Sequence, residues 1–213
     1  RRDDDGGIDT ENQFMAALND GGYAFNYWDY MVMGSPDASQ LQQWQVVVWC
    51  TGNSYDDTID GGTLNPTDRT NIGTYLDNGG NLYFSSSLAA IDCNNAAGGA
   101  DTWQPWFNTY LHSTSTANFG FGPYSLSSVP GDPISDSLNL NCAQGDSNPN
   151  LWQIYTEIDP RGSGVTFYTS GEPWNVATRA DTGIYRVVYT GFDFADVDNA
   201  ATRATLMDRI IIW

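Results

Sequence analysis

The raw material for chemistry in this 213-residue chain is narrow: one histidine, three cysteines, eight arginines, no lysine and 26 acidic side chains. A serine or cysteine nucleophile needs a base within hydrogen-bond reach, and near neutral pH that base is usually an imidazole. Only His112 supplies one. The serines best placed to meet it are Ser86 and Ser87, at the end of the run Asn81-Leu82-Tyr83-Phe84-Ser85-Ser86. Pairing requires His112 to swing in from a separate segment, and a lone histidine beside Tyr110 and Leu111 reads more readily as a structural ring. No catalytic set is expected; Ser86, Ser87 and His112 stand as outlying candidates.

Oxygen chemistry comes next. Asp3, Asp4 and Asp5, joined by Asp193, could offer ligands to a hard cation such as calcium. The same Asp3–Gly7 run is also a good turn and helix start, because aspartates suit a helix N-terminus and glycines relax the backbone. The turn is the preferred reading, with Asp3, Asp5 and Asp193 kept as metal candidates and no other cofactor expected. Residues 53–60 (NSYDDTID) lack EF-hand spacing and read as a solvated acidic loop. A glycosidase needs two carboxyls about 5–10 Å apart, a condition that so many aspartates would always meet. Cys50 lies in a continuous apolar strand and reads as a small hydrophobe. Cys93 and Cys142 fall in Asn-rich loop sequence and are the natural disulfide pair in an oxidising compartment. Among eight tryptophans, most fit a core. Trp103, Trp106 and Trp174 are the ones whose exposure would signal stacking on sugar rings.

Composition bounds the partners. A net charge of −18 repels phosphate backbones and anionic lipid, so nucleic-acid and electrostatic membrane binding are excluded. No apolar run approaches the ~20 residues of a membrane span. The lysine-free, Asn/Asp/Gly/Ser/Thr-rich composition points to an extracellular or cell-surface protein. No signal peptide is recognisable, so the chain reads as mature or as a fragment. The acidity also suits life in high salt.

These residues must be held by elements that the pattern makes visible. Thr10–Asn19 predicts a helix burying Phe14, Ala17 and Leu18, and Tyr23–Trp28 a strand. Ser35-Pro36 predicts a capped helix start, and Asn65-Pro66 repeats it with Ile72, Tyr75 and Leu76 inward. Gln45–Thr51 reads as the central strand of a parallel sheet, followed by the strand Asn81–Ser86. Trp103–Leu111 is an amphipathic helix. Residues 113–180 carry short extended runs, the clearest at Leu151–Ile158, Gly164–Thr169 and Trp174–Thr178. Tyr185–Thr190 is a buried strand, and Asp198 caps a final helix from Asn199 to Trp213. The βαβα order implies an α/β fold: a flavodoxin-like three-layer sandwich with a mainly parallel sheet. One domain is expected over 1–213, with a β-rich insertion at about 113–180.

Five stretches carry a resemblance: DDDGG (3–7), VVVWCTGN (46–53), LDNGGNLYFSS (76–86), VPGDPISDSL (129–138) and the ending from Arg186 to Trp213. Together they resemble the class I glutamine-amidotransferase-like domains of large secreted bacterial proteins. That resemblance implies a flavodoxin-like topology over nearly the whole chain and a position beside peptidase, adhesion or sorting modules. It also implies a cysteine after the NLYF strand with His and Glu after the late strand; here Ser85-Ser86-Ser87 and Gly191-Phe192-Asp193 stand there instead. Such domains carry a hydrophobic strand before DDDGG, where this sequence has Arg1-Arg2. A neighbouring chain or cleaved segment filling that slot by strand addition is one reading, and a truncated chain or a first strand placed elsewhere is the other. The expected function is a non-catalytic extracellular structural or assembly module, such as a filament or sheath component, self-associating or docking to other modules. A secreted hydrolase or amidotransferase-like enzyme and a carbohydrate-binding module are the alternatives.

Overall fold

The computed structural model of the protein describes residues 10–52, 63–94, 102–142, 153–172 and 174–213. Helix starts follow the capping chemistry. Helix α1 (Glu11–Asp20) buries Phe14, Ala17 and Leu18, and the chain then turns through Gly22 at φ 71°. The Asp29 carboxylate caps α2 (Tyr30–Met33) by accepting from Val32 N. Asp37, not Ser35, caps α3 (Ala38–Leu41), with Gln40 returning the bond. Asn65 and Asp68 form the same reciprocal box on α4 (Pro66–Asp77), whose buried face includes Ile72, Tyr75 and Leu76; such caps are each worth ~1 kcal/mol. Two short helices follow, α5 (Ala89–Asp92) and α6 (Gln104–Tyr110). The last helix, α7 (Ala200–Ile212), is capped by Asn199, one residue beyond the expected Asp198. No helix among the described residues is long and apolar enough to cross a membrane.

The strands are β1 (Val46–Gly52), β2 (Asn81–Ser86), β3 (Ser113–Phe121), β4 (Tyr124–Ser128), β5 (Leu140–Cys142), β6 (Ile154–Pro160), β7 (Val165–Ser170), β8 (Asn175–Asp181) and β9 (Arg186–Thr190). Seven form one sheet in the order β1-β2-β9-β8-β7-β4-β5, and β3 pairs with β6 in a separate ribbon. Among the described strands of this sheet only β1–β2 and β2–β9 are parallel; β9–β8, β8–β7, β7–β4 and β4–β5 are antiparallel. The sheet is therefore mixed and curls into a half-barrel, which corrects the expected flavodoxin-like sandwich. The cause lies in residues 113–180. Instead of standing outside as an insertion, this segment supplies β4, β5, β7 and β8, whose short connections favour antiparallel pairing. Helical crossovers, which parallel pairing requires, occur only around β1, β2 and β9.

Two further expectations change. Strand β1 closes one end of the described sheet rather than its centre, and Val46, Val47 and Val48 are only half-buried. Tyr23–Trp28 joins no ladder among the described residues. Its alternation instead packs Tyr23 and Phe25 against the core, with Tyr23 Oη donating to Asp208 Oδ1 at 2.6 Å. Residues 1–9, where the missing first strand was sought, lie outside the described residues.

Alternation along the parallel strands builds a core on each face. Tyr83, Val188 and Cys50 pack with Phe14, Leu206 and Met207 of α1 and α7. Leu82, Phe84, Val187 and Tyr189 pack with Ile72, Leu76 and Phe107 of α4 and α6. This arrangement corrects the expected Cys93–Cys142 disulfide. Both thiols are free and buried, but Cys142 belongs to the first core and Cys93 to the second. Cys93 Sγ donates to Gln104 Oε1 at 2.8 Å, and burial pushes both thiols well above their ordinary range.

Candidate functional site

Parallel pairing brings the carboxyl ends of β1, β2 and β9 together, the place where α/β sheets collect ligands. Strand β1 ends in a register shift between Cys50 and Gly52, and Gly52 takes φ 54°. A side chain there would stand 3.4 Å from Asp193 Oδ2. Asp193 is buried and accepts from Ala195 N at 3.0 Å, starting the 3-10 turn Phe194–Asp196. Ser85 Oγ donates to Phe192 O and accepts from Phe194 N, tying β2 to that turn. Ser86 Oγ accepts from Ala89 N at the start of α5. Ser87 N donates to Gly52 O at 3.1 Å, while the buried hydroxyls of Ser87 and Thr51 have no hydrogen-bond partner among the described residues. A buried hydroxyl without a partner is costly, so a water or ligand oxygen between β1 and β2 would relieve both. Buried Tyr83 nearby is pushed up chiefly by desolvation, with the Asp193 charge adding to it.

The imidazole lies elsewhere. His112 Nε2 is 3.0 Å from Tyr185 Oη, and Ser163 Oγ is 3.3 Å from Nδ1. Because Tyr185 Oη donates to Thr109 O, it accepts from Nε2–H, which leaves Nδ1 as the acceptor for Ser163. Burial lowers the His112 pKa below its ordinary value. Leu82 stands opposite Val187, which sets Tyr185 level with Gly80 at the amino end of the parallel strands. Ser86 is six residues further along, roughly 20 Å at ~3.3 Å per residue. His112 is therefore not brought to Ser86 or Ser87; its serine neighbour is Ser163, which the sequence reading missed.

Of the expected metal ligands, Asp3 and Asp5 lie outside the described residues. Among the described residues no group of three or more His, Cys, Asp or Glu is placed to hold a metal, and Asp193 serves as a turn cap.

The aromatic candidates separate. Trp103 is buried, and Trp174 packs on Tyr155 at 6.0 Å. Trp106 is half-buried at the edge of a groove of about 410 Å³ between α4 and α6, lined by Arg69, Thr70, Thr74, Asp77 and Tyr110 among others. Trp106 and Tyr110 recur at i and i+4, and so do Pro66, Thr70 and Thr74; these spacings are the signal the sequence held for this groove.

No protein-family model and no curated protein sequence matches the chain. Solved structures do. A cytoplasmic protein from Salmonella typhimurium superposes with a TM-score of 0.62 at 14% identity, over 94% of this chain and 85% of that one. A cold-adapted β-galactosidase from Rahnella sp. R3 gives 0.63 at 13% identity, over 97% of this chain and 27% of the enzyme. A putative GMP synthase component from Thermoplasma acidophilum gives 0.57 at 14%, over 95% and 87%. At these identities the likeness is one of fold. The chain spans about a quarter of the β-galactosidase's length.

Proposed function

We propose that this chain is a non-catalytic structural module of the cell surface or extracellular space, assembling with copies of itself or with neighbouring modules of a larger secreted protein. In this reading it derives from the class I glutamine-amidotransferase-like domains, with serines now serving the strand tips as backbone anchors. The observation that carries assembly is an aromatic pair on the β3–β6 ribbon. Phe119 and Phe121 are 42% and 52% exposed and stack edge-to-face at 4.9 Å. Two adjacent phenylalanines on the outside of a ribbon form an apolar patch that a contact between protomers would bury. Electron microscopy and light scattering of the native protein test this. Ordered oligomers or filaments are expected, and changing both Phe119 and Phe121 to Ser should disperse them. Discrete monomers at every concentration would sink the reading.

A further inference from the structure

We propose that the groove between α4 and α6 is a binding site for a neutral saccharide. Its walls are made by two helices with different chemistry. Helix α6 contributes Trp106 and Tyr110, ring centroids 5.3 Å apart and tilted by 40°. Both rings are fixed: Trp106 Nε1 donates to Arg69 O at 2.8 Å, and Tyr110 Oη donates to Asp77 Oδ2 at 3.0 Å. Gly73 makes room for this, since a side-chain carbon there would come within 3.0 Å of the Tyr110 ring. Trp106 also packs on Trp103 and Tyr110 on Tyr185, yet both rings stay partly exposed and line the groove, so part of their apolar surface is open to the C–H face of a pyranose.

The opposite wall accepts hydrogen bonds. Thr70 and Thr74 are exposed on α4, and their hydroxyls already donate to Pro66 O and Thr70 O, so only lone pairs remain for a ligand. Asp77 adds a carboxylate at the carboxyl end of α4, where the helix dipole disfavours an anion. Among the described residues the one cation lining the groove is engaged: buried Arg69 donates to Leu64 O and lies 5.6 Å from the Trp103 ring centroid. Ring surface beside an acceptor-rich wall selects a ligand with many O–H donors and no negative charge. At about 410 Å³ the groove is within the range of small-ligand sites.

The test titrates the full chain with cellohexaose, xylohexaose, maltohexaose and chitohexaose, following tryptophan fluorescence and calorimetry. Saturable binding of at least one is expected, with a dissociation constant below about 1 mM. Trp106→Ala should weaken it more than about tenfold. Because Trp106 also packs, Thr70→Arg serves as the second variant: it fills the groove from an exposed helix position and should abolish binding with the circular dichroism unchanged. Thr205→Arg on exposed α7 should bind normally. The proposal fails if no oligosaccharide binds at roughly 10 mM, or if binding survives Thr70→Arg. It fails equally if tetramethylammonium binds there instead, which would make the ring pair a cation site.

Discussion

His112 shows how one side chain couples chemistry to backbone strain. It has φ 50°, a left-handed conformation uncommon for a residue with a side chain. Contacts on every side over-determine it. Arg161 N donates to its carbonyl, Ser163 and Tyr185 hold the ring, and a side chain at Gly164 would collide with its carbonyl oxygen. Burial lowers the ring's pKa in the folded state below the ordinary 6.5. The unfolded chain therefore takes up this proton first as pH falls. The stabilisation is present above about 6.5 and is lost on descent toward the folded value. Between pH 7 and pH 5 the wild-type thermal unfolding midpoint should drop relative to that of His112→Asn, where asparagine keeps the left-handed backbone without the titration. An equal fall in both proteins would remove His112 as a contributor.

At the scale of elements, the passage from α4 into β2 is a tight junction. Tyr75 is fully buried, and its hydroxyl accepts from Asn81 N and lies 2.9 Å from Asn81 O. Its ring lies over Gly80, where any side chain would overlap it. Gly80→Ala should destabilise the protein by about 1–3 kcal/mol, the usual cost of overpacking, or more. A urea-unfolding midpoint unchanged from wild type would refute that packing. This junction was legible in the sequence, because the capping box, the Ile72–Leu76 stripe and the Gly79-Gly80 stop all act within a few residues. The sheet was not. Nothing local in Gly164–Thr169 or Trp174–Thr178 says that these strands extend the sheet from β9, since a strand's partner is chosen by contacts far along the chain. The same limit hid the site. That Ser86 and His112 fall at opposite ends of the sheet follows from the register of Leu82 against Val187, which neither residue's neighbourhood encodes. In the groove, the aromatic wall could be read from helical spacing, but its threonine and carboxylate wall comes from a different helix.

For the whole molecule, charge opposes both compactness and assembly. At −18, identical chains repel one another and each folded chain repels itself. Raising salt from about 10 mM to 150 mM shortens the screening length from ~30 Å to ~8 Å. The unfolding midpoint should rise by about 2–4 °C, equivalent to ~1 kcal/mol, and self-association should strengthen in parallel. Light scattering that falls with added salt would show attraction between charges instead. The position of β9 beside β2 has a further outcome, for how the chain is made. Hydrogen bonds such as that from Ser85 to Phe192 join residues 107 positions apart. The middle of the sheet cannot zip until a ribosome has released the chain through β9, and closing so long a loop makes maturation slow. A nascent chain would thus leave β2 without this neighbour until β9 has been made.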